Sequence, residues 1–87
     1  MPDFVAEQYF SRTDAAGAHR AGRAARDAAE QLASDGTDVQ LVPSIFVPQD
    51  ETYLFIYEAD SLDSVRMAAQ RAELTFERIA EAAEAEG

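Results

Sequence analysis

Glu7 and Tyr9 are the first side chains along the chain that could do chemistry, and both lie in a short stretch rich in β-forming residues. Side chains two residues apart on a strand project from the same face of a sheet. A carboxylate on an inner strand is costly to bury unless it is paired or binds something. One interpretation is a contact with a ligand or metal ion in a cavity between subunits. The other is a glutamate that is solvated, or paired with a cation such as Arg78.

Tyr53 and Tyr57 form a second candidate pair, on the same face of another apolar stretch together with Phe55. Their hydroxyls could orient a small molecule in a pocket whose walls are otherwise apolar. Aromatic side chains at this spacing are also typical of a hydrophobic core or of a dimer interface. The sequence leaves both interpretations open.

His19 is the single histidine, and it falls in an alanine-rich and arginine-rich stretch. Imidazole is a ligand that nickel and copper prefer, and it can also act as a general base near neutral pH. The neighbours one helical turn away, Ala15 and Arg23, supply no second ligand. We predict that any metal site uses His19, Glu7 or both. The alternative is a histidine on the solvent-facing side of a helix.

Three arginines, Arg20, Arg23 and Arg26, recur near one side of the same stretch. Asp27 follows Arg23 by four residues, and Glu30 follows Arg26 by four. On a helix this spacing brings opposite charges together and stabilises it by a few tenths of a kcal/mol per pair. The pattern therefore predicts a solvated face with salt bridges.

Known catalytic motifs are missing from the sequence. It contains no phosphate-binding loop, no G-x-S-x-G and no H-E-x-x-H, which removes the usual kinase, hydrolase and metalloprotease assignments. Catalytic residues therefore stay unassigned, and whether the protein is an enzyme stays open.

Composition limits the partners and the size of the core. The 87 residues and net charge of −10 indicate one acidic domain, residues 1–87, that would repel nucleic acid and anionic membranes. A chain this short has marginal stability, and with no cysteine it cannot use disulfides, so we expect a homodimer. The first residues lack a basic and then apolar signal pattern, which makes a cytoplasmic location the expectation.

The first half of the chain predicts a strand, a long helix and a second strand. The strand covers Phe4–Phe10, and the helix begins at an N-cap on Thr13, ends near Ser34 and is followed by Gly36 in the left-handed region. The second strand covers Asp38–Val47 and contains Pro43. Because proline cannot donate to a β-ladder, this strand should lie at an edge or carry a bulge.

The second half predicts a hairpin partner, a second helix and a closing strand. Thr52–Tyr57 is apolar on both faces, as in an inner strand. Ser61 should cap a helix from Leu62 to about Ala72. The stretch around residues 77–82 has helical spacing of apolar residues, but the order β-α-β-β-α before it calls for a fourth strand. We predict a strand there, and an α+β ferredoxin-like βαββαβ fold.

Three segments resemble a family of small bacterial proteins of unknown function that includes a nickel-binding member. The segments read FVAEQYF, VPSIFVPQDETYLFIYEADSLDSVRMAAQRAEL and FERIAEA, and the resemblance extends over nearly the whole chain. It implies a ferredoxin-like fold, assembly as a dimeric α+β barrel, and binding of nickel or another divalent transition metal. It implies no reaction and assigns no ligands.

These observations favour a homodimeric binding protein for a divalent transition metal or a small ligand. An alternative is a dimeric α+β barrel enzyme, such as a cofactor-independent monooxygenase or isomerase acting on a small aromatic compound. Ligand contacts are then expected at Glu7, Tyr9, Tyr53 and Tyr57. A closed apolar cavity lined by Tyr53 and Tyr57 would favour the enzyme, whereas a cluster of ligands around His19 or Glu7 would favour the metal. A third alternative is a structural or regulatory subunit, which the absence of any pocket would favour.

Overall fold

The computed structural model describes residues 2–83, which alternate between strands and helices in the predicted order. The elements are β1 (Asp3–Tyr9), α1 (Ala15–Ser34), β2 (Val39–Val47), a 3-10 turn (Pro48–Asp50), β3 (Thr52–Ala59), α2 (Leu62–Arg71) and β4 (Arg78–Ala82). The β-α-β-β-α-β order with one antiparallel sheet is a ferredoxin-like α+β fold, as predicted. Within the described residues, neither helix is long and apolar enough to cross a membrane.

The sheet has the strand order β2-β3-β1-β4, which confirms β2 as an edge strand and β3 as an inner strand. The pairing of β2 with β3 shifts register between Val42 and Ile45, so Pro43 lies in a bulge. There the Ser44 hydroxyl donates to the Val42 carbonyl and accepts from the Ile56 N–H, each at 3.1 Å. The side chain thereby replaces a backbone hydrogen bond that the irregular strand does not supply.

Both helices cover the same face of the sheet. The core lies between this face and the two helices. It is formed by inward-facing residues of the strands and by mostly small residues of the helices, among them Phe4, Ala6, Phe55, Tyr57, Ala21, Ala25, Leu32, Val65 and Ala68. Alanine brings α1 close to the strands because its side chain is short. Within residues 2–83 the opposite face of the sheet carries no helix, and the molecule is only 18 Å thick along its shortest axis.

The N-terminus of α1 corrects one prediction. Asp14, and not Thr13, is the N-cap, and its carboxylate accepts from the Gly17 N–H at 2.9 Å. The Thr13 hydroxyl instead lies 2.9 Å from that of Ser11 in the preceding turn. Both residue types are good N-caps, so sequence alone does not choose between them. At the other end Gly36 has φ of 97°, which confirms the left-handed position after the helix.

The C-terminal stretch forms the predicted strand. Helix α2 stops where Glu73 takes a left-handed conformation with φ of 59°, and the Leu74 N–H donates back to the Ala69 carbonyl at 2.9 Å. This 6→1 bond is typical of a Schellman helix end. After it, Phe76 and Ile79 pack against the core and β4 pairs antiparallel with β1. Ile79 is opposite Ala6 and Ala80 is opposite Val5, so apolar residues that matched a helical period lie on both faces of the sheet.

Candidate functional site

Glu7 and Tyr9 lie on the face of the sheet that no helix covers. Glu7 is opposite Leu54 on β3 and opposite Arg78 on β4, and it is partly exposed. The side chain of Tyr9 is 59% exposed. The two residues therefore share a face, as predicted. In the single chain this face is in contact with solvent, and it is open to a partner molecule.

Tyr53 and Tyr57 lie on the other face, under the helices, where their environments differ. Tyr57 is fully buried, its ring contacts Phe76 at 6.3 Å between centroids, and its hydroxyl has no hydrogen-bond partner among the described residues. Burial raises the pKa of this hydroxyl far above its ordinary value, and the neighbouring Tyr53 raises it further. Tyr57 is therefore a core residue.

Tyr53 is only partly buried and reaches the surface of α1. Its ring stacks on Phe55 with centroids 4.0 Å apart and an interplanar angle of 8°, which fixes its direction. A Cβ atom at Gly22 would lie 2.5 Å from the Tyr53 hydroxyl, so only glycine lets the hydroxyl come this close to the helix. Burial raises the pKa of Tyr53, whereas the nearby Arg26 guanidinium lowers it.

A cleft opens beside this hydroxyl, between α1 and the bulged edge of the sheet. We call it the α1–β2 cleft, and its volume is about 130 Å³. Its walls are formed by the side of α1 that carries His19, by the bulge of β2 and by Tyr53. The lining residues are His19, Gly22, Arg23, Arg26, Leu41, Val42, Ser44 and Tyr53. A volume of this size holds a small molecule or the end of a larger one.

The α1–β2 cleft is basic, although the chain has a net charge of −10. Its lining includes one imidazole and two guanidinium groups and no carboxylate. The predicted salt bridges from Arg23 to Asp27 and from Arg26 to Glu30 are not formed within 4.0 Å in the part of the chain that the structure describes. The expectation of a salt-bridged face is therefore wrong for these two pairs, and both arginines can engage a ligand.

The two predicted metal ligands do not meet within one chain. His19 lines the α1–β2 cleft on the helical side of the sheet, whereas Glu7 faces the uncovered side. Between residues 2 and 83, no group of three or more histidine, cysteine or acidic residues could hold a metal ion. A site that used both residues would require two subunits.

Sequence reasoning identified His19 and Tyr53 separately and missed the cleft that joins them. The spacing of Arg23 and Arg26 predicts a solvated face and gives no indication of a cleft beside Gly22. A glycine between arginines in an alanine-rich helix was the available signal, because glycine in a helix costs about 1 kcal/mol relative to alanine unless close packing requires it.

Comparison with known proteins supports the fold. No protein-family model matches the chain, and no curated protein matches it. Among solved structures, the chain is similar to SCO4226 from Streptomyces coelicolor A3(2), known from a crystal structure, with 16% sequence identity and a TM-score of 0.73. The alignment covers 97% of this chain and 99% of that protein. At this identity the likeness concerns the ferredoxin-like architecture.

Proposed function

We propose that this chain is a small ligand-binding protein that acts as a homodimer. The observation that carries the proposal is the α1–β2 cleft, which is lined both by Tyr53 and by basic side chains from α1. Polar groups that converge on a cavity with some apolar lining are typical of small-molecule sites.

The uncovered face of the sheet supports the dimer. Its centre is apolar: Val5 on β1 is opposite Ile56 on β3, and Ile56 is opposite Val42 on β2. Ile45, on the same face, is 53% exposed in the single chain. A second copy would cover these residues with an identical surface, as in an isologous interface, and would complete a dimeric α+β barrel. The small alanine-rich core makes such additional burial valuable for stability.

Blocking the cleft should abolish binding. We expect Gly22→Ala to force the Tyr53 hydroxyl out of its position, since the new methyl group would lie 2.5 Å from it. Addition of small organic fragments should change the amide chemical shifts of residues near Gly22 and Leu41 in the parent protein. In the variant the same additions should leave these shifts unchanged. Alanine favours a helix by up to about 1 kcal/mol over glycine, so the variant should remain folded. Thermal unfolding checks this, and fragments that bind both proteins equally would contradict the cleft.

A second candidate function, binding of nickel or another divalent transition metal, rests on the accessible imidazole of His19. Two features oppose tight binding within one chain: the cationic Arg23 and Arg26 beside the ring, and the location of Glu7 on the other side of the sheet. Ligands from two subunits would be needed for a closed site.

Nickel affinity is expected to be weak to moderate and to decrease in acid. Imidazole coordinates only when it is neutral, so binding at about pH 5.5 should be several-fold weaker than at about pH 7.5. The measurement is calorimetric titration of nickel into untagged protein, with His19→Ala and Glu7→Gln beside the parent. If the parent binds and neither variant weakens it, the metal site lies elsewhere; an untagged parent that does not bind nickel removes this candidate.

The dimeric α+β barrel enzyme acting on a small aromatic compound is less well supported. That proposal needs Tyr53 and Tyr57 to line one closed cavity. Tyr57 is packed within the core, so Tyr53 alone meets the α1–β2 cleft. The cleft also lies beside the exposed edge strand β2, which gives a reacting molecule little shelter from water.

A further inference from the structure

The charge around the α1–β2 cleft indicates which chemical class of ligand it takes. His19, Arg23 and Arg26 are consecutive members of one helical side, three or four residues apart, and all three line the cleft. Guanidinium groups form short, charge-assisted hydrogen bonds with carboxylates, often with two nitrogens at once. The Tyr53 hydroxyl, which lies against Gly22, adds a neutral donor. An anionic group is the complement of this set.

A second depression, with a volume of about 340 Å³, lies next to the cleft along α1. Arg26 and Leu41 line both spaces, so the two are adjacent at these residues. Further along, the apolar part of the wall is formed by the exposed Ala33 and the partly buried Leu41, with small contributions from the nearly buried Ala29 and Val39. A ligand whose charged end lies at the arginines would therefore place an apolar body along this depression.

The far part of the depression also limits the number of charges on the ligand. Glu30 and Gln40 are exposed and complete its lining. A second negative charge at that end would approach the Glu30 carboxylate, which is unfavourable. A neutral tail avoids this repulsion.

We propose that the α1–β2 cleft binds a small organic monocarboxylate, with its carboxylate held by Arg23, Arg26 and the Tyr53 hydroxyl and its apolar chain along the neighbouring depression. This deepens the proposed ligand-binding function and rests on it. It names the ligand class for the same site.

The test compares hexanoate with hexanamide, which has the same length and no charge, and with inorganic phosphate, which has charge and no tail. Binding to the full-length protein is followed by amide shifts near Gly22, Leu41 and Ala33. We expect hexanoate to bind at least about tenfold more tightly than either of the others. Arg23→Gln and Arg26→Gln should each weaken hexanoate about tenfold, since charge-assisted hydrogen bonds are lost.

Arg20→Gln is the matched control, because it removes the same charge from an exposed position of the same helix that does not line the cleft. It should change hexanoate binding less than about twofold, which separates direct contact from a general effect of net charge. If hexanamide binds as tightly as hexanoate, the proposal that the cleft recognises a carboxylate is overturned, while the ligand-binding function stands. If phosphate binds as tightly as hexanoate, the proposal that an apolar chain contributes to binding is overturned. If none of the three probes, and no fragment, perturbs the cleft, the proposed function fails as well.

Discussion

Replacing Ile56 by aspartate is expected to convert the proposed dimer into monomers. Ile56 lies on inner strand β3 at the centre of the uncovered sheet face, between Val5 and Val42 on the neighbouring strands. In an isologous dimer the substitution places two carboxylates in an apolar interface, one from each subunit. Burying an unpaired charge costs several kcal/mol, and each 1.4 kcal/mol is a factor of ten in affinity. The dimer dissociation constant should therefore rise at least about a hundredfold.

Sedimentation equilibrium of parent and variant over a range of micromolar concentrations measures this effect. Met67→Asp is the control, because Met67 is 47% exposed on α2, away from the uncovered sheet face, and the change adds the same charge. It should leave the dissociation constant unchanged. A parent protein that is monomeric and well folded at micromolar concentration would contradict the dimer. So would an Ile56→Asp variant that associates like the parent.

The second large effect is expected at Tyr57, where removal of the ring and removal of the hydroxyl should act in opposite directions. Tyr57 is among the largest fully buried side chains. Tyr57→Ala should lower the free energy of unfolding by about 3–5 kcal/mol, because it leaves a cavity in the core beside Phe76. Tyr57→Phe should be neutral or raise it by about 1 kcal/mol. The buried hydroxyl has no hydrogen-bond partner among residues 2–83, and phenylalanine avoids the cost of its desolvation.

The same substitution should change the response of stability to alkali. Burial raises the pKa of Tyr57 in the folded protein, whereas the unfolded chain ionises near pH 10. The stabilisation due to the neutral phenol is therefore present below about pH 10 and is lost as pH rises above it. Parent stability should fall more steeply above pH 10 than that of Tyr57→Phe, which retains only the smaller contribution of Tyr53.

Urea unfolding at fixed protein concentration, at neutral pH and at about pH 11, measures both effects. The concentration must be fixed because association also contributes to apparent stability. A Tyr57→Phe variant more than 1 kcal/mol less stable than the parent at neutral pH would show that the hydroxyl has a partner.

The helices and strands, and much of the strand order in the sheet, are predictable from the amino-acid sequence because they depend on short-range chemistry. Pro43 lacks the N–H that an inner strand needs, and the structure places it in a bulge on edge strand β2. Gly36 permits the left-handed turn after α1, and Ser61 caps α2 through the Ser64 N–H. The closing strand followed from the order of the preceding elements, although its own residues also matched a helical period.

The tertiary structure alone decided which candidate residues meet. The alternation of side chains along a strand correctly predicts that Glu7 shares a sheet face with Tyr9, and that Tyr53 shares one with Tyr57. It does not predict whether the two pairs lie on the same face. Their relation depends on the register between strands: Glu7 is opposite Leu54, so the pairs lie on opposite faces of the sheet. Which of those faces the helices cover depends on the crossover connections, a property of the whole chain. His19 and Tyr53 are 34 residues apart in the chain. For the same reason, that they line one basic cleft is visible only once α1 is packed across the strands.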